Sequence, residues 1–176
     1  MRPLPVIAVL LVIAALLVVA YALLEKRPRY GAWYGLARLT GSPLDIGPVD
    51  WATLTRHTTP NDALVCPAAL CPHAKPDREP QARAMAPDAL LARLKRVALA
   101  EPGTRELSAA PNRDRSARFI QYTRLMRFPD TIDVEVFPAG EGATLAIYSR
   151  SLIGRSDLGV NRARIARWLE KLDAGP

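Results

Sequence analysis

Residues 131–151 read TIDVEVFPAGEGATLAIYSRS, and this stretch decides the fold. In its first six residues the apolar Ile132, Val134 and Val136 alternate with polar side chains, which predicts a half-buried strand with one solvated face. The glycines at 140 and 142 predict a hairpin turn into a second strand, Ala143 to Ser151. Because strands joined by a short turn run antiparallel, the sequence predicts a meander.

Two further strands are predicted before this hairpin. Residues 104–109 are expected to form a short strand, and residues 117–128, which are rich in β-branched and aromatic side chains, a longer one. The tripeptide Phe128-Pro129-Asp130 predicts the turn that leads into the hairpin. The sheet is therefore expected to contain three to four antiparallel strands.

Helical spacing of apolar residues occurs on both sides of the strands. After Met85, the pattern of Leu90, Leu91, Leu94, Val97 and Ala98 predicts an amphipathic helix of about three turns. The stripe formed by Leu158, Ile165, Leu169 and Leu172 predicts a last helix, whose opposite, solvated face carries Arg164, Arg167 and Lys171. The expected fold class is α+β, an antiparallel meander of three to four strands with flanking helices.

The N-terminal segment 4–24 contains 21 residues without a charge. At about 1.5 Å per residue, a helix of this length spans about 31 Å, the thickness of bilayer hydrocarbon, which predicts one transmembrane helix. A cleaved secretory signal is the alternative, since Ala20-Tyr21-Ala22 has the small-x-small pattern of a cleavage site. The apolar run is longer than the core of an ordinary signal, which favours an uncleaved single-pass anchor with the lipid bilayer as its partner.

The two cysteines bear on the compartment of the remaining chain. Basic residues at 26, 27 and 29 follow the apolar segment, and the positive-inside rule alone places the domain in the cytoplasm. Cys66 and Cys71 lie five positions apart in a Pro-rich stretch, a spacing compatible with a disulfide, which persists only in oxidising compartments. Zinc bound by this pair with His57 and His73 is less consistent with established ligand spacings. We therefore expect an inner-membrane protein with a periplasmic domain, no metal and no cofactor, and the cytoplasmic orientation stays open.

The 176 residues suffice for one compact domain behind the anchor. The expected organisation is a tail at 1–3, the anchor at 4–24, a juxtamembrane linker at 25–49 and an α+β domain at 50–176. Within that domain, Pro- and Gly-rich residues 50–84 are expected to be irregular, and 85–173 to form the regular core. Lys and Arg number 24 against 17 Asp and Glu, a net charge of +7 that favours anionic partners.

The densest group of polar residues is SRSLIGRSDLGVNRAR at 149–164, which runs from a strand end into a helix start. Unpaired N–H groups at a helix N-terminus favour an anion, and the four arginines of this segment add positive charge. The spacing from Leu158 and Ile165 predicts that Asn161 and Arg162 turn inward. The alternative is a loop that binds nothing, in which Asp157 or Ser156 caps the helix and pairs with Arg150 or Arg162.

Several of these motifs together resemble the domain of unknown function 1499 family. They are Phe128-Pro129-Asp130, Ser149-Arg150-Ser151, Gly154, the run from Ser156 to Arg162, and Arg164-Ile165, with Trp51 and Pro60-Asn61-Asp62 upstream. The resemblance covers roughly residues 50–173 and implies a bacterial member behind one membrane helix. No activity is established for the family. Its shared positions fall here on Arg150, Ser151, Gly154, Asp157, Gly159, Asn161 and Arg162.

These residues favour a non-enzymatic, membrane-tethered module that binds an anionic ligand or an envelope protein through the Arg-rich loop. A hydrolase or transferase that uses Asp130 or Asp157 with Ser151 is the alternative, and it requires a concave pocket that joins these side chains. No catalytic residue is assigned from the sequence. Nucleic acid is not expected as a partner, because a periplasmic domain does not meet it.

Overall fold

The computed structural model describes residues 4–25, 45–124 and 127–174. The chain divides into two compact units, residues 1–42 and 43–176, and the first contains helix α1, Leu4–Glu25. Among the described residues, no helix qualifies as long and apolar enough to span a membrane, so the structure does not confirm the predicted transmembrane helix at 4–24. Most of the linker predicted at 25–49 falls on residues 26–44, which lie outside the described residues.

The second unit is built on a five-stranded antiparallel sheet in the order β1-β5-β4-β3-β2. The strands are β1 Asp62–Val65, β2 Thr104–Leu107, β3 Ser116–Tyr122, β4 Pro129–Ala139 and β5 Gly142–Ser151. Two helices complete it, α2 Pro87–Ala100 and α3 Val160–Asp173. The α+β class and the antiparallel meander from β2 to β5 are confirmed, but the strand count is five rather than three to four.

The additional strand is β1, which lies in the segment predicted to be irregular. Its four residues read DALV, too short a run to show an alternating pattern. It pairs with β5 at the sheet edge, from Asp62 opposite Arg150 to Val65 opposite Ile147. This long-range pairing brings residues 56–62 beside the loop that follows β5.

The β4–β5 hairpin extends further than its sequence pattern suggested. Pro129 and Asp130 do not form a turn but begin β4, where Asp130 lies opposite Ser151. Proline is tolerated at the first residue of a strand because the ladder does not require its missing N–H there. At the other end, a Cβ on Gly142 would lie 2.0 Å from the carbonyl oxygen of Arg83, so only glycine fits this close approach.

Both helices cover one face of the sheet. Leu90 and Leu94 of α2 and Trp168 of α3 are fully buried against strand residues such as Phe119, whose ring meets Trp168 edge to face at 5.7 Å between centroids. Burying such side chains contributes about 1.5–3 kcal/mol each, which makes this layer the main source of stability.

The opposite face of the sheet is not solvated, contrary to the sequence prediction. Val49, Trp51 and Leu54 lie on it together with the cysteines and Tyr148. The polar side chains of β4 are consequently buried there: Asp133 is 3% exposed and pairs with Arg118. Alternation alone predicted a half-exposed strand because the residues that cover it are distant in sequence.

Candidate functional site

The sheet separates the residues predicted to form one site. Successive side chains of a strand point to opposite faces, so Arg150 lies on the face covered by residues 45–54, whereas Ser149 and Ser151 face the helices. Arg150 donates to the carbonyl oxygen of Gly47 at 2.8 Å and pairs with Asp133 at 3.4 Å. It is therefore a structural cation that holds the N-terminal segment on the sheet.

Burial dominates the electrostatics around Arg150. Desolvation lowers the pKa of its guanidinium, and desolvation raises the pKa of the Asp133 carboxyl in spite of the attraction of Arg150 and Arg118. The Arg150 guanidinium also lies 5.4 Å from the centre of the Tyr148 ring. Both charges are therefore engaged beneath the covering segment.

A second buried network lies on the helix face, and its centre is Arg164. The sequence placed Arg164 on the solvated face of α3, but it is 1% exposed. Its guanidinium pairs with Asp130 at 2.6 Å and donates to Ser149 at 2.8 Å, and its Nε donates to Gln121. The prediction failed because the sequence around Arg164 does not show that a carboxylate, Asp130, lies opposite it in the sheet.

Asn161 connects this network to the loop after β5. As predicted, its side chain is buried, and its amide donates to Ser151 at 3.0 Å and to Asp157 at 2.8 Å. Its Oδ1 accepts from Ser149 at 2.6 Å and from Arg164 at 2.5 Å. Asn161 is thus a fully bonded core amide that fixes the start of α3.

The N-terminus of α3 is already capped by the chain itself. The carboxylate of Asp157 accepts the backbone N–H groups of Gly159 at 2.9 Å and Asn161 at 2.8 Å. These donors are therefore not free for a ligand, which corrects the expectation of an open helix terminus. Arg150 and Arg162 do not pair with Asp157; their carboxylate partners are Asp133 and Asp77.

Leu158 was predicted to begin the last helix, but it lies in the loop before it. Its backbone adopts a left-handed conformation at φ 53°, and the residue is 94% exposed. Gly159 follows with φ 81°. Two successive residues in this region hold the loop in a tight turn, at a backbone cost of about 1–2 kcal/mol for the leucine.

An open cleft of about 850 Å³ lies where this loop meets the segments around β1. It is lined by side chains from residues 56–62, 75–77 and 156–162, among them Arg56, His57, Lys75 and Arg162. Of the predicted site residues, Asp157, Gly159 and Arg162 line it, whereas Arg150, Ser151, Gly154 and Asn161 do not.

The carboxylates of the cleft are engaged within the protein. Asp62 pairs with Arg56 at 2.6 Å and accepts from Tyr148 Oη at 2.6 Å. Burial raises the pKa of Asp62, but these bonds and the N–H of His57 outweigh it and hold that pKa below its ordinary value. Burial and the bond to Asp62 raise the pKa of Tyr148. Asp62 is therefore held in place by a charged partner, Arg56, and a neutral one, Tyr148.

Arg162 is an exposed cation of the cleft, far more open than Arg56. The sequence predicted that it turns inward, but its side chain is 74% exposed and reaches Asp77 at 2.9 Å. Asp77 also pairs with Arg56 at 3.0 Å and accepts the backbone N–H of Leu64 at 2.9 Å. Arg162 is consequently free to exchange this partner while Asp77 keeps two others.

Sequence reasoning missed the contribution of residues 56–77 to the site. His57 was considered as a metal ligand, yet its Nδ1 donates to Asn61 Oδ1 at 2.8 Å and its ring lines the cleft. Asn61 in turn donates to the carbonyl oxygen of Gly154 at 2.9 Å and so joins the two segments. The Pro60-Asn61-Asp62 motif was the available signal.

The candidates for other chemistry lie apart from the cleft. Asp130 is 1% exposed, and neither Asp130 nor Ser151 lines the cleft, so the pocket required by the hydrolase alternative is not formed there. Burial raises the pKa of Asp130 in spite of its pairing with Arg164. Cys66 and Cys71 form a buried disulfide. In the described parts of the chain no group of histidine, cysteine and carboxylate side chains is arranged to hold a metal ion.

Comparisons with known proteins identify a family and a similar solved structure. No curated protein matches the chain. The crystal structure of protein CV1439 from Chromobacterium violaceum is similar over 65% of this chain and 96% of its own, with 14% identity and a TM-score of 0.34. The family model described as "Protein of unknown function (DUF1499)" matches residues 54–172, more than half of the chain, and includes both walls of the cleft. The chain therefore belongs to the DUF1499 family.

Proposed function

We propose that this protein is a binding module whose cleft takes the anionic group, a phosphate or a carboxylate, of a ligand or partner. The observation that carries the proposal is that the carboxylates of the cleft are hydrogen-bonded within the protein while two of its cations are exposed. Asp62, Asp77 and Asp157 are engaged by internal hydrogen bonds, whereas Lys75 is exposed and Arg162, although paired with Asp77, keeps its side chain 74% exposed. An entering anion therefore meets cationic side chains that are accessible to it.

Geometry favours a planar or tetrahedral oxyanion at Arg162. A guanidinium presents paired N–H donors that match two oxygens of a phosphate or carboxylate. Only the contact to Asp77 must be exchanged, and a solvent-exposed ion pair of this kind is worth about 0–1 kcal/mol. The size of the cleft lies within the range of about 300–1,000 Å³ that is typical of small-molecule sites.

The proposed setting is the periplasmic side of a bacterial inner membrane. Support for the tether is the uncharged sequence at 4–24, and support for the compartment is the disulfide of Cys66 and Cys71, which an oxidising environment preserves. Together these support a ligand drawn from anionic lipids or envelope polymers rather than nucleic acid.

The test is calorimetric titration of the full-length chain, held in phosphatidylcholine nanodiscs, with ethyl phosphate as the probe. Arg162→Ala is expected to weaken binding at least about tenfold, because hydrogen bonds to charged groups are each worth about 1.5–3 kcal/mol. Arg155→Ala is the matched control: Arg155 is exposed in the same loop, carries the same charge and does not line the cleft. Equal losses in the two variants, or no binding by the unaltered chain, would reject the proposal.

A further inference from the structure

An apolar groove adjoins the cleft and shares two of its residues. It encloses about 260 Å³ between β1 and α3, with Ala63, Val65, Ile165, Ala166 and Leu169 among its lining. Arg162 and Asp77 line the groove as well as the cleft, so the two cavities meet at this ion pair. A ligand that binds Arg162 therefore has its other end beside an apolar surface.

The walls of the groove are held apart by bonds that do not involve Arg162. One wall is the segment at Asp77 and Arg78, which is hydrogen-bonded along the free edge of β1: Asp77 N–H donates to Leu64 at 2.9 Å, and Cys66 N–H to Arg78 at 3.3 Å. The other wall is α3, anchored in the core by Ile165 and Leu169. Arg162 extends from α3 to Asp77 across the junction of the two cavities. The anionic group of a ligand can take the place of Asp77 as its partner.

Leu158 supplies an independent observation at the mouth of the cleft. Its neighbours Asp157 and Gly159 line the cleft, yet its own apolar side chain is 94% exposed on a left-handed backbone. The backbone of this turn is held by local bonds, including that from Leu158 N–H to Ser156 Oγ at 3.3 Å, while the leucine side chain stays exposed. It provides an apolar rim for a molecule that is both charged and apolar.

We infer that the cleft and groove together bind an anionic amphiphile, whose phosphate or carboxylate pairs with Arg162 and whose hydrocarbon chain lies in the groove against Ile165 and Leu169. This inference rests on the proposed function and names its ligand class. Charge complementarity at Arg162 and the continuity of the two cavities argue for this occupant. A free amphiphile and a membrane lipid share the chemistry, and the test separates them.

The experiment compares hexyl phosphate with ethyl phosphate on the full-length chain in phosphatidylcholine nanodiscs, with empty nanodiscs as the blank. Each buried methylene strengthens binding about fourfold, so hexyl phosphate is expected to bind at least about tenfold more tightly. Ala166→Phe, which fills the groove from an exposed helix position, is expected to remove this gain, so that hexyl and ethyl phosphate bind this variant with equal affinity. Ala163→Phe, exposed on the same helix but outside both cavities, is the matched control and keeps the gain.

The outcomes distinguish the two proposals. If ethyl phosphate binds through Arg162 but hexyl phosphate binds no more tightly, the amphiphile is excluded and the anion site stands. A chain-length gain that survives Ala166→Phe overturns the groove as its location, and no binding of either phosphate rejects both proposals. When phosphatidylglycerol is added to the nanodiscs, a weakened affinity for hexyl phosphate identifies a membrane lipid as the ligand, and an unchanged affinity identifies a free amphiphile.

Discussion

Replacing Arg164 by methionine tests the role of the buried network most directly. The substitution preserves an unbranched side chain of similar length but removes the guanidinium. Asp130 then loses its ion-pair partner at 2.6 Å, and Ser149, Asn161 and Gln121 each lose a donor. Because Asp130 is 1% exposed, water does not replace the lost charge.

The magnitude follows from the protonation of Asp130. In Arg164→Met the cheapest response is for the carboxyl to take up a proton, whose cost is set by its pKa in the unfolded chain, 3.8. At pH 7 this amounts to about 4 kcal/mol, and at pH 5 to about 2 kcal/mol. The total at pH 7 agrees with the roughly 3–5 kcal/mol that breaking a buried ion pair costs.

Urea unfolding at the two pH values measures the effect. With a slope of about 1–3 kcal/mol per molar urea, the midpoint at pH 7 is expected to fall by about 2 M. The sign of the pH dependence is fixed: Arg164 lowers the pKa of Asp130, so without it the folded pKa rises further above 3.8 than in the unaltered chain, and the variant recovers stability relative to that chain as the pH falls. The loss at pH 5 is therefore expected to be about half of the loss at pH 7.

Arg167→Met on the same helix is the control. Arg167 is half exposed and lies 3.6 Å from Glu101, so its loss is expected to cost under about 1 kcal/mol. If Arg164→Met were no more destabilising than Arg167→Met, or if its cost did not depend on pH, the argument from the buried charge would be wrong.

Three further predictions concern stability. Leu158→Gly is expected to raise the free energy of unfolding by about 1 kcal/mol, because it relieves the left-handed backbone and loses no buried contact; a decrease in the urea midpoint would contradict this. Replacing both cysteines by alanine should lower it by about 2 kcal/mol, the chain-entropy value for a loop of this length, and an unchanged urea midpoint would show that the bond contributes nothing. Burial raises the pKa values of Asp62 and Glu101, but hydrogen bonds to Arg56 and Lys171 respectively lower them by more, so both folded values lie below the ordinary 3.8 and 4.5. The stability that these groups contribute above their ordinary pKa values should therefore be lost as the pH falls through the folded values. Asp62→Asn should show a shallower decline of the urea midpoint between pH 5 and pH 3.

The parts of the fold that could be predicted are those with local signals. The alternation at 132–136 and the glycines at 140 and 142 predicted the central hairpin correctly, and helical spacing predicted α2. Strand β1 was missed because its stability comes from pairing with β5, some 85 residues later, rather than from its own four residues. Asp133 was predicted to be solvated for a related reason: residues 45–54, which cover it, have no sequence pattern that predicts packing against the sheet.

The structure separates the predicted site residues for the same physical reason. Sequence proximity placed Arg150 and Arg162 in one loop, but the strand directs Arg150 to the far face, where it pairs with Asp133. Helical spacing assigned Asn161 inward correctly, and it failed for Arg162, which the same spacing also placed inward. The cleft itself required residues 56–77, whose approach to the loop depends on the long-range pairing of β1.

The family motif at 149–164 thus combines two kinds of residue with different physical roles. Arg164 and Asn161 fix the start of α3 through bonds to the sheet, and Asp157 fixes the preceding loop through bonds to backbone N–H groups. That framework sets the position of Arg162. Arg162 itself contributes little to the free energy of unfolding, because it is exposed and its one carboxylate partner among the described residues is Asp77. Substitutions of the first kind should therefore reduce the urea midpoint and impair binding only through unfolding, whereas Arg162→Ala should weaken binding in a chain of normal stability. If the motif served the fold alone, Arg162→Ala would change neither the urea midpoint nor the affinity for ethyl phosphate.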